Sequence, residues 1–297
     1  MYSYDWDPLT GGYLLNSTPL SFSKEPRPVY YQELDILGFN AKWKYPKSDA
    51  YPLMWAEANN YYYRGKLVAR TKGGSICQAP ELIFVDDPEP AGEELRFVDI
   101  PAMVEKNKNI LESLTQEAIK KIYNCYSANR NKYDIYYVAF SGGKDSVVTL
   151  DLVQRALPHN DFIVLFGDTK MEFPDTYKVV ELIKEECNKK GISFHVAQSN
   201  LEPEDTWKEF GPPAQKIRWC CSVHKSAPQI IYLREYLHKL NFRGLSFTGI
   251  RADESFARSE YDETSYGDKI KGQDSFRPIL TWNSAEVYLY CYIFLWT

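Results

Sequence analysis

Apolar and polar positions divide the chain into a β-rich first third, one long helix, and a region where strands and helices alternate. From residue 134 onward, short apolar runs alternate with longer amphipathic ones. Strands are predicted at 135–140, 162–167, 192–197 and 245–250, and helices at 145–157, 174–190 and 226–240. Mostly apolar strands separated by helices specify an α/β domain, a parallel sheet with helices on both faces. Before it, Leu111, Leu114, Ala118, Ile122 and Cys125 recur at three- and four-residue spacing, which predicts one helix over about 102–128 with an apolar stripe.

Residues 1–100 are rich in Tyr, Pro and Gly. Tyr61 to Arg70 reads as a hairpin turning at Arg64-Gly65, and Glu81 to Val85 as a further short strand. Thr71 to Gly74 and Asp86 to Pro90 are breaks. The expected organisation is a small β-rich accessory domain over 1–100, a linking helix over 101–130 and the α/β domain over 131–297. The chain closes on Tyr288 to Thr297, an apolar helical segment without a cap. A natural C-terminus is usually more polar, so the expectation is a truncated chain with an incomplete last domain.

Composition adds limits. At 297 residues and 44% apolar, the chain can bury a sizeable core. A net charge of −5 excludes a globally basic nucleic-acid binder. It leaves a local patch, such as the stretch Gly65 to Gly74, through which the N-terminal domain could face nucleic acid; a solvated hairpin is the favoured reading. No apolar run is long enough for a membrane span, and Met1 to Trp6 lacks a signal pattern, so a cytoplasmic protein is expected. The cysteines Cys77, Cys125, Cys187, Cys220, Cys221 and Cys291 are not expected to form a disulfide framework in a chain of this length.

The sharpest chemical signal is Ser141-Gly142-Gly143-Lys144-Asp145-Ser146, between a predicted strand and a predicted helix. A strand entering a glycine turn from which a helix leaves aims unsatisfied N–H groups and the positive helix end at one spot, which binds phosphate or sulfate. The glycines remove Cβ atoms from the anion's path. Lys144 adds a charge, and Ser141 and Ser146 add hydroxyls. The glycine spacing is not that of the GxxxxGK[ST] loop.

Other polar clusters follow predicted strands, where ligands of open parallel sheets sit. Gly167-Asp168-Thr169 is one. Asp168 either holds Mg²⁺ through water, should the ligand be ATP, or caps a turn. In the next segment, Glu172 to Thr176, Pro174 suits a first helical turn and Thr176 offers a polar contact. Lys216 to Lys225 places Cys220 and Cys221 among basic side chains. Neighbouring cations lower a thiol's pKa, and thiolates bind soft metals. Two adjacent cysteines cannot fill a tetrahedral site, and the sequence has no CxxC, so they are either partial metal ligands or reduced structural thiols. Arg218 and Lys225 would meet an anionic ligand or form a solvated face. Gly249 to Arg258 supplies Arg251, the first candidate for an anion clamp, and Arg258, the second; the alternative is salt bridges with Glu254 and Glu260.

The SGGKDS turn resembles the pyrophosphate loop of the adenine nucleotide α-hydrolase group. With Gly167-Asp168-Thr169 and its Phe173-Pro174 segment, the Cys220-Cys221 pair and GIRADESFAR in that order, residues 134–282 resemble the phosphoadenosine phosphosulfate reductase family, as a longer member with an N-terminal accessory domain. The resemblance implies an adenine nucleotide α-hydrolase-like fold. It implies that adenylyl sulfate or its 3′-phosphate lies on the glycine loop, Lys144, Lys225 and Arg251, with adenosine against Gly167 to Thr169. A cysteine thiolate would attack the sulfur, and a thioredoxin-like reductant would release sulfite. Cys220 and Cys221 would supply two ligands of a 4Fe–4S cluster in a full-length protein. The family's nucleophilic cysteine lies in a C-terminal tail that this sequence does not match, so the catalytic residue is unassigned, and Cys291 does not replace it. Two alternatives stand beside this one. The first is an ATP pyrophosphatase that uses Mg²⁺ and adenylates a substrate, as in sulfur modification of tRNA or DNA. The second is a nucleotide-binding module without turnover.

Overall fold

A computed structural model describes residues 2–19, 25–75, 77–88, 92–214, 218–267 and 272–295. The chain forms two compact units. One comprises Met1–Leu114, Ala252–Phe256 and Thr281–Thr297, the other Thr115–Arg251 and Ala257–Leu280.

In the first unit, β1 (Tyr2–Asp7) and β2 (Gly12–Pro19) form an antiparallel hairpin. β3 (Pro26–Val29), β4 (Met54–Glu57), β5 (Asn60–Tyr63), β6 (Lys66–Lys72) and β7 (Glu81–Phe84) form an antiparallel sheet in chain order. The hairpin expected at Arg64-Gly65 is β5–β6. Both turn residues have positive φ, 47° and 83°, as the tight turn of a twisted hairpin requires. Lys66 in the basic stretch is paired with Asp86 at 3.0 Å, as in an ordinary solvated hairpin. α1 (Tyr31–Leu37) and the aromatic side chains of Phe39, Trp43 and Tyr61 close the core over the sheet. Glu89 and Pro90 of the expected loop lie outside the described residues.

α2 (Ile100–Asn129) begins in the first unit and ends in the second. Its stripe is as the spacing predicts, with Leu111, Leu114, Ala118 and Ile122 buried.

The second unit holds a six-stranded sheet in the order β10-β9-β8-β11-β13-β12. The strands are β8 (Ile135–Phe140), β9 (Ile163–Asp168), β10 (Ser193–Gln198), β11 (Gly244–Thr248), β12 (Thr264–Tyr266) and β13 (Gln273–Phe276). All run parallel except β12. Helices α3 (Lys144–Ala156), α4 (Pro174–Lys189), α5 (Pro203–Phe210), the short α6 (Trp219–Cys221) and α7 (Ala227–Leu237) connect them. A π-turn, Ser222–Ser226, joins α6 to α7. Successive residues of β8 and β9 are buried, so both sheet faces are covered. Ile230 and Leu233 of α7 pack on the face that carries Tyr137 and Leu165. The parallel α/β sheet was legible in the sequence; β12, β13 and α5 were not. The chain steps outward from β8 to β9 to β10, then returns to β11 on the other side of β8. Loops that leave β8 and β11 therefore part at a switch point, where an open α/β sheet accepts ligands.

α8 (Phe256–Ser259) follows β11. α9 (Ser284–Tyr290) belongs with the N-terminal unit, although the sequence pattern assigned it to the domain over 131–297. Its capping box explains the attachment. Asn283 Oδ1 accepts from Glu286 N at 2.9 Å, and Glu286 Oε2 accepts from Asn283 N at 2.6 Å. Glu286 Oε1 also accepts from Tyr2 N at 2.8 Å, Asn283 Nδ2 donates to Tyr2 O at 2.8 Å, and Tyr13 Oη donates to Ala285 O at 2.8 Å. Cys291 is a buried core thiol, and Trp296 and Thr297 lie outside the described residues.

Glu286 is fully buried, and burial pushes its carboxyl up to about 7 against the pull of its backbone donors. The fold therefore binds a proton that the unfolded chain releases between its ordinary carboxyl range and about pH 7. Stability should fall as pH rises through that window, by on the order of 2–3 kcal/mol, and level off above it. Urea midpoints at pH 5 and pH 7.5 should show this drop in the wild type and a smaller one in Glu286→Gln, whose single carbonyl can keep one of the two backbone bonds. Equal drops in the two proteins would refute the assignment.

Candidate functional site

The glycine turn lies where the sequence pattern puts it. β8 ends at Phe140, Gly143 is the N-cap of α3 in extended conformation, and Ser141 and Gly143 are exposed. Gly142 has φ +77°, and a Cβ there would stand 2.7 Å from Thr176 Cγ2. Glycine thus serves the backbone conformation and the approach of α4 together. Ser146, buried, closes the loop internally. Its Oγ donates to Gly143 O at 2.8 Å and accepts from Ser141 N at 3.3 Å, with Ser141 Oγ 3.2 Å away. Its role here is to shape the turn, and exposed Ser141 donates its hydroxyl to Ser146 Oγ.

Asp145 lies between two cations. Lys144 Nζ is 2.9 Å from its Oδ2, and Arg251 Nε is 2.8 Å from its Oδ1. Lys144 keeps 27% of its side chain exposed, whereas Arg251 keeps 1%. The sequence pattern read Arg251 as an anion clamp; the fold buries it against Asp145 of the glycine turn. Gly249 makes this possible, since a Cβ there would stand 2.5 Å from Asp145 O and 2.8 Å from Ser146 N. The end of β11 thus lies directly on the first turn of α3. Arg258, on α8, is half-buried.

Asp168 ends β9 and is 9% exposed. Oδ1 accepts from Lys170 N and Tyr177 Oη, both at 2.8 Å, and Oδ2 accepts from Gln198 Nε2 at 2.8 Å. These three donors let it cap the turn that follows β9. Burial, then the bond to Asp168, pushes Tyr177 up to about 12, so it stays a donor. Thr169 Oγ1 donates to Glu172 Oε1 at 3.0 Å. Gly167 admits Gln229: a Cβ there would meet Gln229 Nε2 at 2.2 Å and Lys225 Cγ at 3.4 Å. Half-buried Lys225 therefore borders the end of β9. Sequence reasoning missed Tyr177, Gln198 and Gln229, which carry no motif and act through long-range contact.

Around Cys220 and Cys221 the outcome differs from expectation. Cys221 is exposed and Cys220 half-buried, and both are free thiols. Burial pushes the Cys220 thiol up, and Cys221, to which it is hydrogen-bonded, pushes it further. At Cys220, burial first and the adjacent thiol second outweigh the lowering expected from neighbouring cations. Arg218 is exposed at the N-cap of α6, and Lys216 and Ile217 lie outside the described residues. His224 is fully buried, with Nε2 2.9 Å from Thr206 Oγ1. Among the described residues, no group of three or more His, Cys, Asp or Glu gathers to hold a metal ion. Two adjacent thiols do not supply the four thiolates of a 4Fe–4S cluster, so the residues described do not fit that cofactor.

Residues 135–293 match the phosphoadenosine phosphosulfate reductase domain family, and the chain belongs to it. An uncharacterised protein of Methanocaldococcus jannaschii is 36% identical over 63% of this chain and 37% of its own length. A second from that organism is 33% identical over 68% of this chain and 46% of its own length. The chain thus spans less than half of either relative. The adenosine 5′-phosphosulfate reductase of Halalkalibacterium halodurans is 26% identical over 63% of this chain and 74% of its own length. Among solved structures, phosphoadenylyl-sulfate reductase from Candida auris superposes with a TM-score of 0.42 at 17% identity, over 62% of this chain and 83% of that one. Among the described residues, no helix is long and apolar enough to cross a membrane.

Gly249→Ala should force β11 and α3 apart, since both obstacles are backbone atoms. The expected cost is about 1–3 kcal/mol, read as a lowered urea midpoint. Gly191→Ala, at a site with no atom within 4 Å of the new Cβ but with φ +70°, separates steric from conformational cost. Should Gly249→Ala cost no more than Gly191→Ala, the close approach is not a constraint.

Proposed function

We propose that this chain binds an adenine nucleotide with its anionic 5′ end on Ser141 to Ser146, and that it works in thiol-dependent sulfonucleotide reduction. The observation that carries the reading is the exposed glycine turn at the switch point, with Lys144 and Arg251 both held on Asp145. The first-turn N–H groups of α3 and the helix's positive end receive the anion. Lys144, part-exposed and on a flexible stem, leaves Asp145 for the incoming phosphate. Arg251 stays and fixes Asp145, so the loop keeps its shape when Lys144 departs. Lys225 and Arg218 add positive charge along the anionic chain, and Arg258 is assigned to the sulfonate end. Gly167 to Thr169 border the nucleoside.

In this reading a cysteine thiolate attacks the sulfonate sulfur. A sulfur–sulfur bond forms, the sulfur–oxygen bond to phosphate breaks, and the nucleoside phosphate leaves with the bonding pair. A thioredoxin-like dithiol then reduces the S-sulfonate to sulfite and is itself oxidised. The chain's contribution is to neutralise the leaving phosphate. The names of relatives such as the Halalkalibacterium halodurans enzyme support this choice among nucleotide reactions.

Thermal shifts with adenylyl sulfate, its 3′-phosphate and ATP with Mg²⁺ test the reading. A sulfonucleotide at about a hundred times its Kd should add about 2.7 kcal/mol of stability. Lys144→Ala should weaken that binding by roughly ten- to a hundredfold with the melting temperature of the free protein unchanged. A shift with ATP alone, accompanied by ATP–pyrophosphate exchange, would replace this reading with an adenylating one. No shift with any of the three would remove nucleotide binding altogether.

A further inference from the structure

An outer strand presents backbone N–H and C=O groups that its sheet leaves unpaired, and proteins protect such edges with proline, charge, short length or a cover. Several outer strands here carry such a device. β3 contains Pro26 and Pro28, β7 carries Glu81 within four residues, and β12 is three residues long. β10, the other outer strand of the six-stranded sheet, has none of them. It runs for six residues, Ser193–Gln198, without proline, acid, lysine, arginine or bulge. Among the described residues, no strand or other backbone group pairs with its outer side.

The side chains along this edge are also uncharged. Tyr232 Oη, which burial keeps protonated, donates to His195 Nδ1 at 2.6 Å, and burial lowers the pKa of His195, so the ring stays neutral. Its proton then sits on Nε2, which is buried without a partner. Val196, 41% exposed, shares a sheet face with Phe194, and Tyr236, 44% exposed, stands beside His195 on the other face. On α4, Lys184 is paired with Glu181 at 3.4 Å and Lys189 with Glu186 at 2.7 Å.

The strand that fits such an edge is short, uncharged and apolar on alternate residues, and a second β10 is such a strand. Antiparallel pairing about a two-fold axis at His195 sets Val196 opposite Phe194 of the second copy and Ser193 opposite Ala197 of the second copy. Side chains on the same face then meet. The chain's net charge of −5 makes copies repel one another in general, and an edge without charge is where that repulsion is least. We propose that two copies of this chain associate edge to edge through β10, antiparallel, to form one sheet continuous across a two-fold axis. Such an axis requires a self-complementary patch, which β10 supplies. The contact does not depend on the glycine turn or on the nucleotide reading.

Light scattering during size exclusion tests this on the full chain. At a concentration on the order of 50 µM, the wild type should show twice the chain mass. Val196→Lys should show the single-chain mass with an unchanged melting temperature, because an ammonium then faces Phe194 of the second copy. Should that variant melt lower, Ser193→Lys, at an exposed position, takes its place with the same expected outcome. In the wild type, the β10 amides that point away from β9 should exchange at least about tenfold more slowly than in the variant, with those paired to β9 unchanged. A single-chain mass for the wild type overturns the proposal. A dimer that survives the lysine, or whose outward β10 amides exchange as fast as the variant's, also overturns it, since the contact then lies elsewhere.

Discussion

The second unit depends on one close approach. Gly249 brings the end of β11 against the carbonyl of Asp145 and the amide of Ser146, atoms of the helix turn that follows the glycine loop. Backbone cannot yield as a side chain can, so only glycine permits this contact. With it in place, Arg251 is delivered to Asp145 without solvent access, and Asp145 is left with one oxygen for Lys144. A buried guanidinium would be costly unpaired, so its pairing to Asp145 constrains the loop. The loop's shape before any ligand arrives thus follows from strand order, a missing Cβ and one ion pair.

Two cations on one carboxylate also give the site a division of labour. The sealed one cannot reorganise cheaply, whereas the part-exposed one can exchange a carboxylate for a phosphate. In the proposed reading, an entering anion replaces one half of an existing balance and does not have to create a new one. Across β9 the same economy holds with the sign reversed: Asp168 is saturated by Lys170, Tyr177 and Gln198 and maintains a turn.

Much of this was legible in the sequence, for physical reasons. Strands buried on both faces must be nearly continuous in apolar residues, so β8, β9 and β11 show themselves. Glycines at a strand–helix junction announce a backbone that needs positive φ or close approach, and Gly142 needs both. Burial and pairing were harder to foresee. Nothing local says that Arg251 is enclosed, and its partner Asp145 lies 106 positions away. The lowered thiol pKa expected from nearby basic residues failed at Cys220 because burial, which a local sequence does not display, pushes the thiol up. α9 continued an α/β pattern in the sequence, yet its capping box binds Tyr2 at the far end of the chain.

The central claim is that the backbone of the glycine turn receives an anion. Amide NMR during titration with inorganic pyrophosphate reads this without presuming any reaction. The account predicts that the amides of Gly142, Gly143 and Lys144 shift first and furthest, with the Arg251 Nε–H unchanged in its bond to Asp145. Saturable shifts confined to other regions, with these amides unmoved, would contradict it.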